Sequence, residues 1–299
     1  MKKISVITRT KDRAVFLRRC ADDLINQRFP DMQWVIVNDG GNPKPVDEIS
    51  AYARGQGLDC LVVHLKDNVG LPEGSNTGIR ESASQYIHLH DDDDSLEPGF
   101  YENMCGFLDK DVKGHFGGVV CSTNRIDERV TESRIEQLSK RPIHHSKNAT
   151  HIADILTKNQ FSPISFVYRR SCLASVGHYD TNLPVLDDWD FNIRFLMQFD
   201  IASVYDYLAN YHFRSIKTGP LAQTVQSSLQ HELFAAVLRN KYFREGTASI
   251  GNAMPGLLMN VGRNFQIQHG RTLEIQDHQR SEWTLKRALK AIASKLNMT

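Results

Sequence analysis

The sequence predicts an α/β fold with a mostly parallel central sheet and a helical C-terminal extension. Three observations carry this. Short β-branched runs alternate with helical patterns, β-α-β-α-β-α-β, over roughly the first 90 residues, which implies parallel strands with helices on both faces. The run Gln33–Val37 is apolar with almost no alternation, as in a strand covered on both sides. Polar residues gather just after the strands, at the edge where parallel sheets bind ligands.

The elements follow in order. Ile4–Thr8 is a β-branched strand, and Arg9-Thr10-Lys11-Asp12-Arg13 is the turn after it. Val15, Phe16, Cys20, Leu24 and Ile25 recur at helical spacing until Pro30. The second strand ends in the turn signal Asn38-Asp39-Gly40-Gly41, and a short helix covers Val46 to Arg54. Asp59–Leu65 is the third strand. Lys66 to Gly70 is a loop, and Gly74-Ser75-Asn76-Thr77-Gly78 opens the next helix. Backbone N–H groups there suit a phosphate, although glycines alone mark any tight turn.

Tyr86–Leu89 is the fourth strand and runs through His90 into Asp91, Asp92, Asp93 and Asp94. Four carboxylates on one turn repel each other, and a divalent cation with hard oxygen ligands, Mg²⁺ or Mn²⁺, is the usual remedy. The alternative is a solvated acidic loop before a helix. Ser95 is the expected N-cap of that helix, with Pro98 in its first turn and Phe100, Met104, Phe107 and Leu108 on its core face. Phe116–Cys121 and Ser165–Tyr168 read as strands. Residues 122–150 are polar and basic, with Arg134, Lys140, Arg141, His144, His145 and Lys147, and read as a surface excursion. Asp187 and Asp188 open a helix continued by Trp189, Ile193, Leu196 and Met197. Acidic residues there either cap the helix or supply a general base beside an indole.

Composition narrows the function. The 299 residues are 40% apolar and 24% charged, enough for an ordinary core. Net charge is +1, from 36 basic and 35 acidic residues, which argues against a general nucleic-acid binder. Cys20, Cys60, Cys105, Cys121 and Cys172 are scattered and read as reduced core thiols. No apolar run suits a signal peptide or a bilayer span, so a soluble cytoplasmic protein is expected. The first strand is followed by neither Gly-x-Gly-x-x-Gly nor Gly-Lys-Ser/Thr, which disfavours dinucleotide and phosphate-loop ATPase folds.

Taken together, Ile4–Thr8, Val35 to Gly40, Asn68 to Gly70, Gly74 to Gly78, Tyr86 to Pro98 and Asp187 to Asp190 make the chain resemble the family 2 glycosyltransferases, with the GT-A fold, over residues 1 to about 215. The resemblance implies a catalytic domain at 1–219, with a nucleotide-binding half (1–98) and an acceptor-side half (99–219), and a helical extension at 220–299. It implies that Thr8, Arg9 and Thr10 line the nucleotide, that Asp39 meets the base, and that Asn68, Gly70 and Asn76 lie by the ribose and diphosphate. Asp91 and Asp92 would join them, and Asp93 would hold Mn²⁺ or Mg²⁺, with His212 as a further metal ligand or a partly buried strand histidine. Asp188 would be the catalytic base, with Asp187 and Trp189 on the acceptor side.

The sequence departs from the family at three places. Arg9 stands where proline is frequent, Gly74-Ser75-Asn76 replaces Ala-Arg-Asn and so lacks a basic group, and Asp187-Asp188 replaces Glu-Asp.

The expected activity is inverting transfer of a sugar from a nucleotide-diphosphate donor, a UDP-sugar being favoured, to a glycan or lipid-linked acceptor in bacterial surface polysaccharide synthesis. The rivals are a metal-dependent nucleotidyltransferase, which needs a glycine-rich loop that 9–13 lacks, and a non-catalytic nucleotide- or glycan-binding subunit. Beyond residue 220, Leu229, Leu233, Phe234 and Val237 suggest a buried helix. Leu285, Leu289, Ile292 and Leu296 form a stripe beside Lys286, Arg287, Lys290 and Lys295, after Trp283. A basic amphipathic helix at 282–299 suits an anionic membrane at the inner face or a partner, although docking on the catalytic domain is the commoner use.

Overall fold

Successive side chains on a strand point to opposite faces, so Ile4, Val6 and Thr8 share one side of the first strand and Ile7 and Arg9 the other. The computed structural model describes residues 2–131, 134–144, 149–215, 219, 221–222, 228–247, 258–259, 261–266 and 268–270. In it, β1 (Lys2–Thr10), β2 (Met32–Asp39), β3 (Asp59–Leu65) and β4 (Ser84–Leu89) lie parallel in the order β3-β2-β1-β4. The Ile4/Val6 face packs with Trp34 and Ile36 against α1 (Ala14–Asn26) and α2 (Pro43–Gly55). The Ile7 face carries α3 (Leu71–Arg80), where Gly78 allows close approach: a Cβ there would lie 2.4 Å from Ile7 and 3.2 Å from Val37. Helices thus cover both faces, as the unbroken apolar β2 requires.

Beyond β4 the pairing becomes mixed. A two-residue strand, β5 (Ser95–Leu96), precedes α4 (Phe100–Lys110). Then come β6 (Phe116–Val130), β7 (Ile135–His144), α5 (Ile152–Thr157), β8 (Phe166–Arg169), α6 (Leu173–Val176), α7 (Asp187–Leu196), β9 (Asp200–Phe213) and α8 (Ser228–Thr247). The sheet continues β4-β8-β6-β9-β5, with β7 beside the far half of β6. β4–β8, β8–β6, β6–β7 and β9–β5 are antiparallel, and β6–β9 is parallel.

Four expectations change here. Ser95 is no N-cap: it pairs with Asn210 in the sheet, and Gly99, at φ 80°, takes the cap position of α4. The helix after β3 begins at Leu71, behind Gly70, so Gly74 and Gly78 lie inside it. Most of 122–150 is a β-hairpin, β6 with β7, rather than a loop. On α8, Leu229, Leu233 and Val237 are exposed instead of buried. Contacts divide the chain into two compact units, Met1–Leu238, which holds the sheet, and Arg239–Thr299, whose described residues are helical. His145, Lys147 and the basic stripe at 282–299 lie outside the described residues.

The two kinds of helical glycine give a paired expectation. Gly78→Ala forces a methyl into Ile7 and is expected to destabilise by roughly 1–3 kcal/mol. Gly106→Ala in α4 meets no atom within 4 Å and is expected to stabilise by roughly 0.5–1 kcal/mol. Urea denaturation of the two variants checks both signs.

Candidate active site

The parallel strands all end at one edge, with Thr10 opposite Asn38, Asp39 opposite Leu65 and Ile7 opposite Leu89. There the turn after β1 meets the aspartate turn after β4. Arg9 forms an ion pair with Asp91. Arg13 Nη1 lies 2.9 Å from Asp92 Oδ1, and Arg13 Nη2 donates to Asp93 Oδ2 at 2.5 Å. The Thr10 hydroxyl donates to Asp92 Oδ2 at 2.7 Å. From the end of β9, Arg214 Nη2 donates to the same Asp93 Oδ2 at 2.7 Å. Asp94 turns away and accepts the backbone N–H of His212 at 2.9 Å. The repulsion foreseen on this turn is therefore relieved by three guanidiniums from two distant parts of the chain.

Asp92, Asp93 and Asp94 differ in their hold on a proton. Burial opposes the charge on Asp93, but Arg13 and Arg214 outweigh it and hold that carboxyl well below the usual range. Burial pushes Asp92 up to about 6 against the pull of Arg13. Asp94 rises well above the ordinary value through burial and the charges of Asp93 and Asp91. Behind the turn, Arg19 bonds the Asp93 carbonyl and pairs with buried Glu128 at 2.7 Å.

Arg9 also supplies the basic group that α3 lacks. Its stem lies on Gly74, where a Cβ would come within 3.4 Å, and its Nη1 donates to the Ser75 hydroxyl at 2.8 Å. The guanidinium is thus fixed between α3 and Asp91.

A cavity of about 350 Å³ opens beside this cluster. Arg9, Arg13 and Asp91 to Asp94 line it, as do Asp187 and Asp188 at the start of α7. Phe161, Pro163, Pro184, Val185 and Leu186 add apolar wall. Asp188 Oδ1 accepts the Trp189 N–H at 2.8 Å, and Oδ2 accepts the Asn159 amide at 2.7 Å. Burial raises the Asp188 carboxyl above its ordinary value, with these two donors opposing. Asp187 is pushed up to about 7 by burial and by Asp188. Leu186, just before the pair, is held at φ 65°, a conformation unusual for a branched side chain.

Other expected site residues act from further back. Thr8 does not reach the cavity: it is fully buried, and its hydroxyl accepts the Trp34 indole N–H at 2.9 Å. The alternation that puts Thr8 with Ile4 and Val6 is the signal for this. Asp39 accepts the N–H groups of Val69 and Gly70 at 2.7 and 3.1 Å, and so braces the exposed loop of Asn68. Asn76 exchanges two hydrogen bonds of 2.9 Å with the backbone of Tyr179. That clamp sets Tyr179 in the cavity wall, stacked on Phe191 at 4.3 Å. Trp189 is buried, with its indole N–H donating to Ile155 O at 2.6 Å, and so joins α7 to α5. Arg13, Arg214, Tyr179 and Asn159 were not among the expected residues. Arg13 lies in the same turn as Arg9 and Lys11, a basic run that is a signal in itself, while nothing near Asn159 in sequence points to Asp188.

A Mg²⁺ or Mn²⁺ ion held by one or two carboxylates and completed by substrate phosphates suits the hard oxygens of this turn, with Asp91 its most exposed carboxylate and Asp93 shared with Arg13 and Arg214. It does not fit at Asp92, almost wholly buried against Thr10 and Arg13, nor at Asp94, which is spent on β9. It does not fit at His212 either: Nδ1 meets Glu128 Oε2 at 2.7 Å and Nε2 meets the Ser95 hydroxyl at 2.8 Å. Among the described residues no group of three or more His, Cys, Asp or Glu side chains is arranged to hold a metal unaided.

The sheet order, the acidic turn at its edge and the carboxylate pair at the start of α7 together make up the candidate active site. The family model for "Glycosyl transferase family 2" matches residues 5–175, and the chain belongs to that family. It is a glycosyltransferase with the GT-A fold. The chain is 26% identical over 195 residues to the "Uncharacterized glycosyltransferase YwdF" of Bacillus subtilis, covering 64% of this chain and 67% of the relative. To a "PGL/p-HBAD biosynthesis glycosyltransferase" of Mycobacterium bovis it is 24% identical, covering 64% and 68%.

Among solved structures, S. aureus TarS 1–349 in complex with UDP-GlcNAc superposes with a TM-score of 0.65 at 18% identity, covering 86% of this chain and 70% of that one. Without that ligand the same TarS fragment is covered to 65% of its length. The mannosyltransferase PcManGT from Pyrobaculum calidifontis, solved with GDP-Man and Mn²⁺, gives 0.54 at 13% identity, covering 91% and 80%.

The buried pairing of Asp93 gives a prediction with a definite sign. Arg214→Met leaves Asp93 short of a cation and is expected to destabilise by about 3 kcal/mol at neutral pH. Asp93 has a depressed folded-state pKa, so its stabilising charge is present above the ordinary aspartate value and lost as pH falls. The deficit of the variant should therefore hold from pH 7 to about pH 4 and shrink as pH falls further, as read by denaturant midpoints.

Proposed function

We propose that the protein is an inverting, metal-dependent transferase that moves a sugar from a nucleotide-diphosphate donor, a UDP-sugar being favoured, to a hydroxyl of a glycan or lipid-linked acceptor. The observation that carries this reading is one cavity lined by the Arg9–Asp91 and Arg13–Asp93 pairs together with Asp187 and Asp188. Support for the donor class comes from neighbours of the same fold that hold UDP-GlcNAc or GDP-Man. The relatives are bacterial glycosyltransferases, one named for PGL/p-HBAD biosynthesis, and a role in bacterial surface polysaccharide synthesis is part of the proposal.

In this reading Asp93, with Asp91 beside it, would hold Mn²⁺ or Mg²⁺ against the diphosphate, where the ion neutralises charge on the leaving group. Arg9 and Arg13 stand beside that position as further positive charge. Asp188 removes the proton from the acceptor hydroxyl. Its two hydrogen bonds fix the carboxylate plane, and its raised pKa makes it a better base than an exposed aspartate. Attack from the face opposite the diphosphate inverts the anomeric carbon. The apolar wall from Phe161 to Leu186 lies on the Asp188 side and shapes the acceptor entrance. No helix among the described residues is long and apolar enough to cross a membrane. A peripheral membrane contact through 282–299, on the cytoplasmic side, remains part of the proposal.

Calorimetric titration of UDP, GDP and dTDP, with and without Mn²⁺, tests the donor site on wild type and Asp93→Ala. Tight binding of one nucleotide that needs both Mn²⁺ and Asp93 is expected. Binding of none would overturn the reading in favour of a non-catalytic subunit. Asp188→Asn should reduce transfer by at least about 10²-fold with nucleotide affinity unchanged. The acid limb of the pH–rate profile should lie above the ordinary aspartate value near 4, because Asp188 must lose a proton that burial makes it keep.

A further inference from the structure

We infer that Asn159 is a positioning residue for the base Asp188, held in turn by Asn192. The inference rests on the reading of Asp188 given above. Asn159 follows α5, and its Nδ2 donates to Asp188 Oδ2 at 2.7 Å. Its own carbonyl oxygen accepts from Asn192 Nδ2 at 3.1 Å. That contact fixes which end of the Asn159 amide faces the carboxylate: the oxygen is taken by a donor, so the NH₂ points at Asp188. Asn192 is buried on α7 one turn beyond Asp188, so the same helix carries both the base and the group that orients its partner.

The other oxygen, Oδ1, is tied to the Trp189 N–H of that helix. Asp188 therefore has one donor from its own backbone and one from across the cavity. Without Asn159 the carboxylate keeps a single tether and can rotate about it. The spare oxygen, which must meet the acceptor proton, would lose its aim. Both donors also favour the charged carboxylate. Other charged or titratable groups around the site are Asp187 on the same helix, Arg9 from β1 and Asp91 from the acidic turn, with His144 and His231 on the cavity wall. None of these is moved by replacing the amide, so a change on substitution is assigned to the lost hydrogen bond.

The test uses the full chain labelled with ¹³C at aspartate carboxyls. The resonance missing in Asp188→Asn is that of Asp188. In Asn159→Ala its midpoint is expected to move up by about one pH unit, since removing a donor to the charged form makes the proton harder to lose. UDP release from the donor identified by calorimetry should fall about 10²-fold in kcat with nucleotide affinity unchanged. Asn192→Ala, which leaves Asn159 in place but unheld, should shift the midpoint the same way by less, and it serves if Asn159→Ala does not fold. An unmoved midpoint in the variant that folds, or a kcat equal to wild type, overturns the inference. Failure of Asp188→Asn to lower UDP release would instead overturn the assignment of the base.

Discussion

Carboxylates crowded on a turn are tolerable only if something positive lies against them, and the site is arranged by that constraint. Arg9, Arg13 and Arg214 take the charge of Asp91, Asp92 and Asp93. Because the guanidiniums come from the end of β1, the start of α1 and the end of β9, the ion pairs also fix how these elements meet. A second group, Arg19 with Glu128 and His212, lies behind the first and ties the aspartate turn to β6 and β9. Such buried pairs add little net stability over apolar packing. Their effect is to set positions, and here they set the wall of a cavity.

On the facing wall electrostatics runs the other way. Asp187 and Asp188 sit side by side with Arg9 as their nearby positive charge, and both have raised affinity for a proton. The acidic turn therefore holds Asp93 towards its charged form, while the pair on α7 holds carboxyls that keep a proton more readily than an exposed aspartate. In the proposed mechanism that contrast would separate the residue facing a diphosphate from the residue taking a proton. Arg9 interacts with both groups, and its seat on Gly74 and Ser75 puts a guanidinium beside the one stretch of α3 where the family pattern has a basic residue and this sequence does not.

Much of this was legible in the sequence where the signal was local. β-branched runs, Gly turns and the acidic run marked the parallel half of the sheet and its ligand edge, and Asp187 began its helix as expected. The partners of the aspartates were not legible, because Arg13 and Arg214 lie 80 and 121 residues from Asp93 and no periodicity reports a pairing at that distance. Ser95 misled for the same reason: a strong cap residue was claimed by a strand partner 115 residues away. The hairpin of β6 and β7 was hidden because β7 is exposed on nearly every residue, so it shows no alternation. Thr8 is a different case: it shares the core face of Ile4 and Val6, which the strand alternation already marks, so the family pattern does not place it in the cavity.

The long reach of these ion pairs bears on how the chain comes off the ribosome. Arg9 and Arg13 are made first, the aspartates about eighty residues later, and Arg214 after a further 121. A nascent chain that has just finished β4 holds the parallel half of the sheet with Asp93 still one cation short and Asp94 without the N–H of His212. The first 98 residues are thus charge-unbalanced until β9 pairs between β6 and β5. Native closure of the acidic turn becomes a late event of synthesis, and a chain stopped near residue 98 is not a self-contained folding unit.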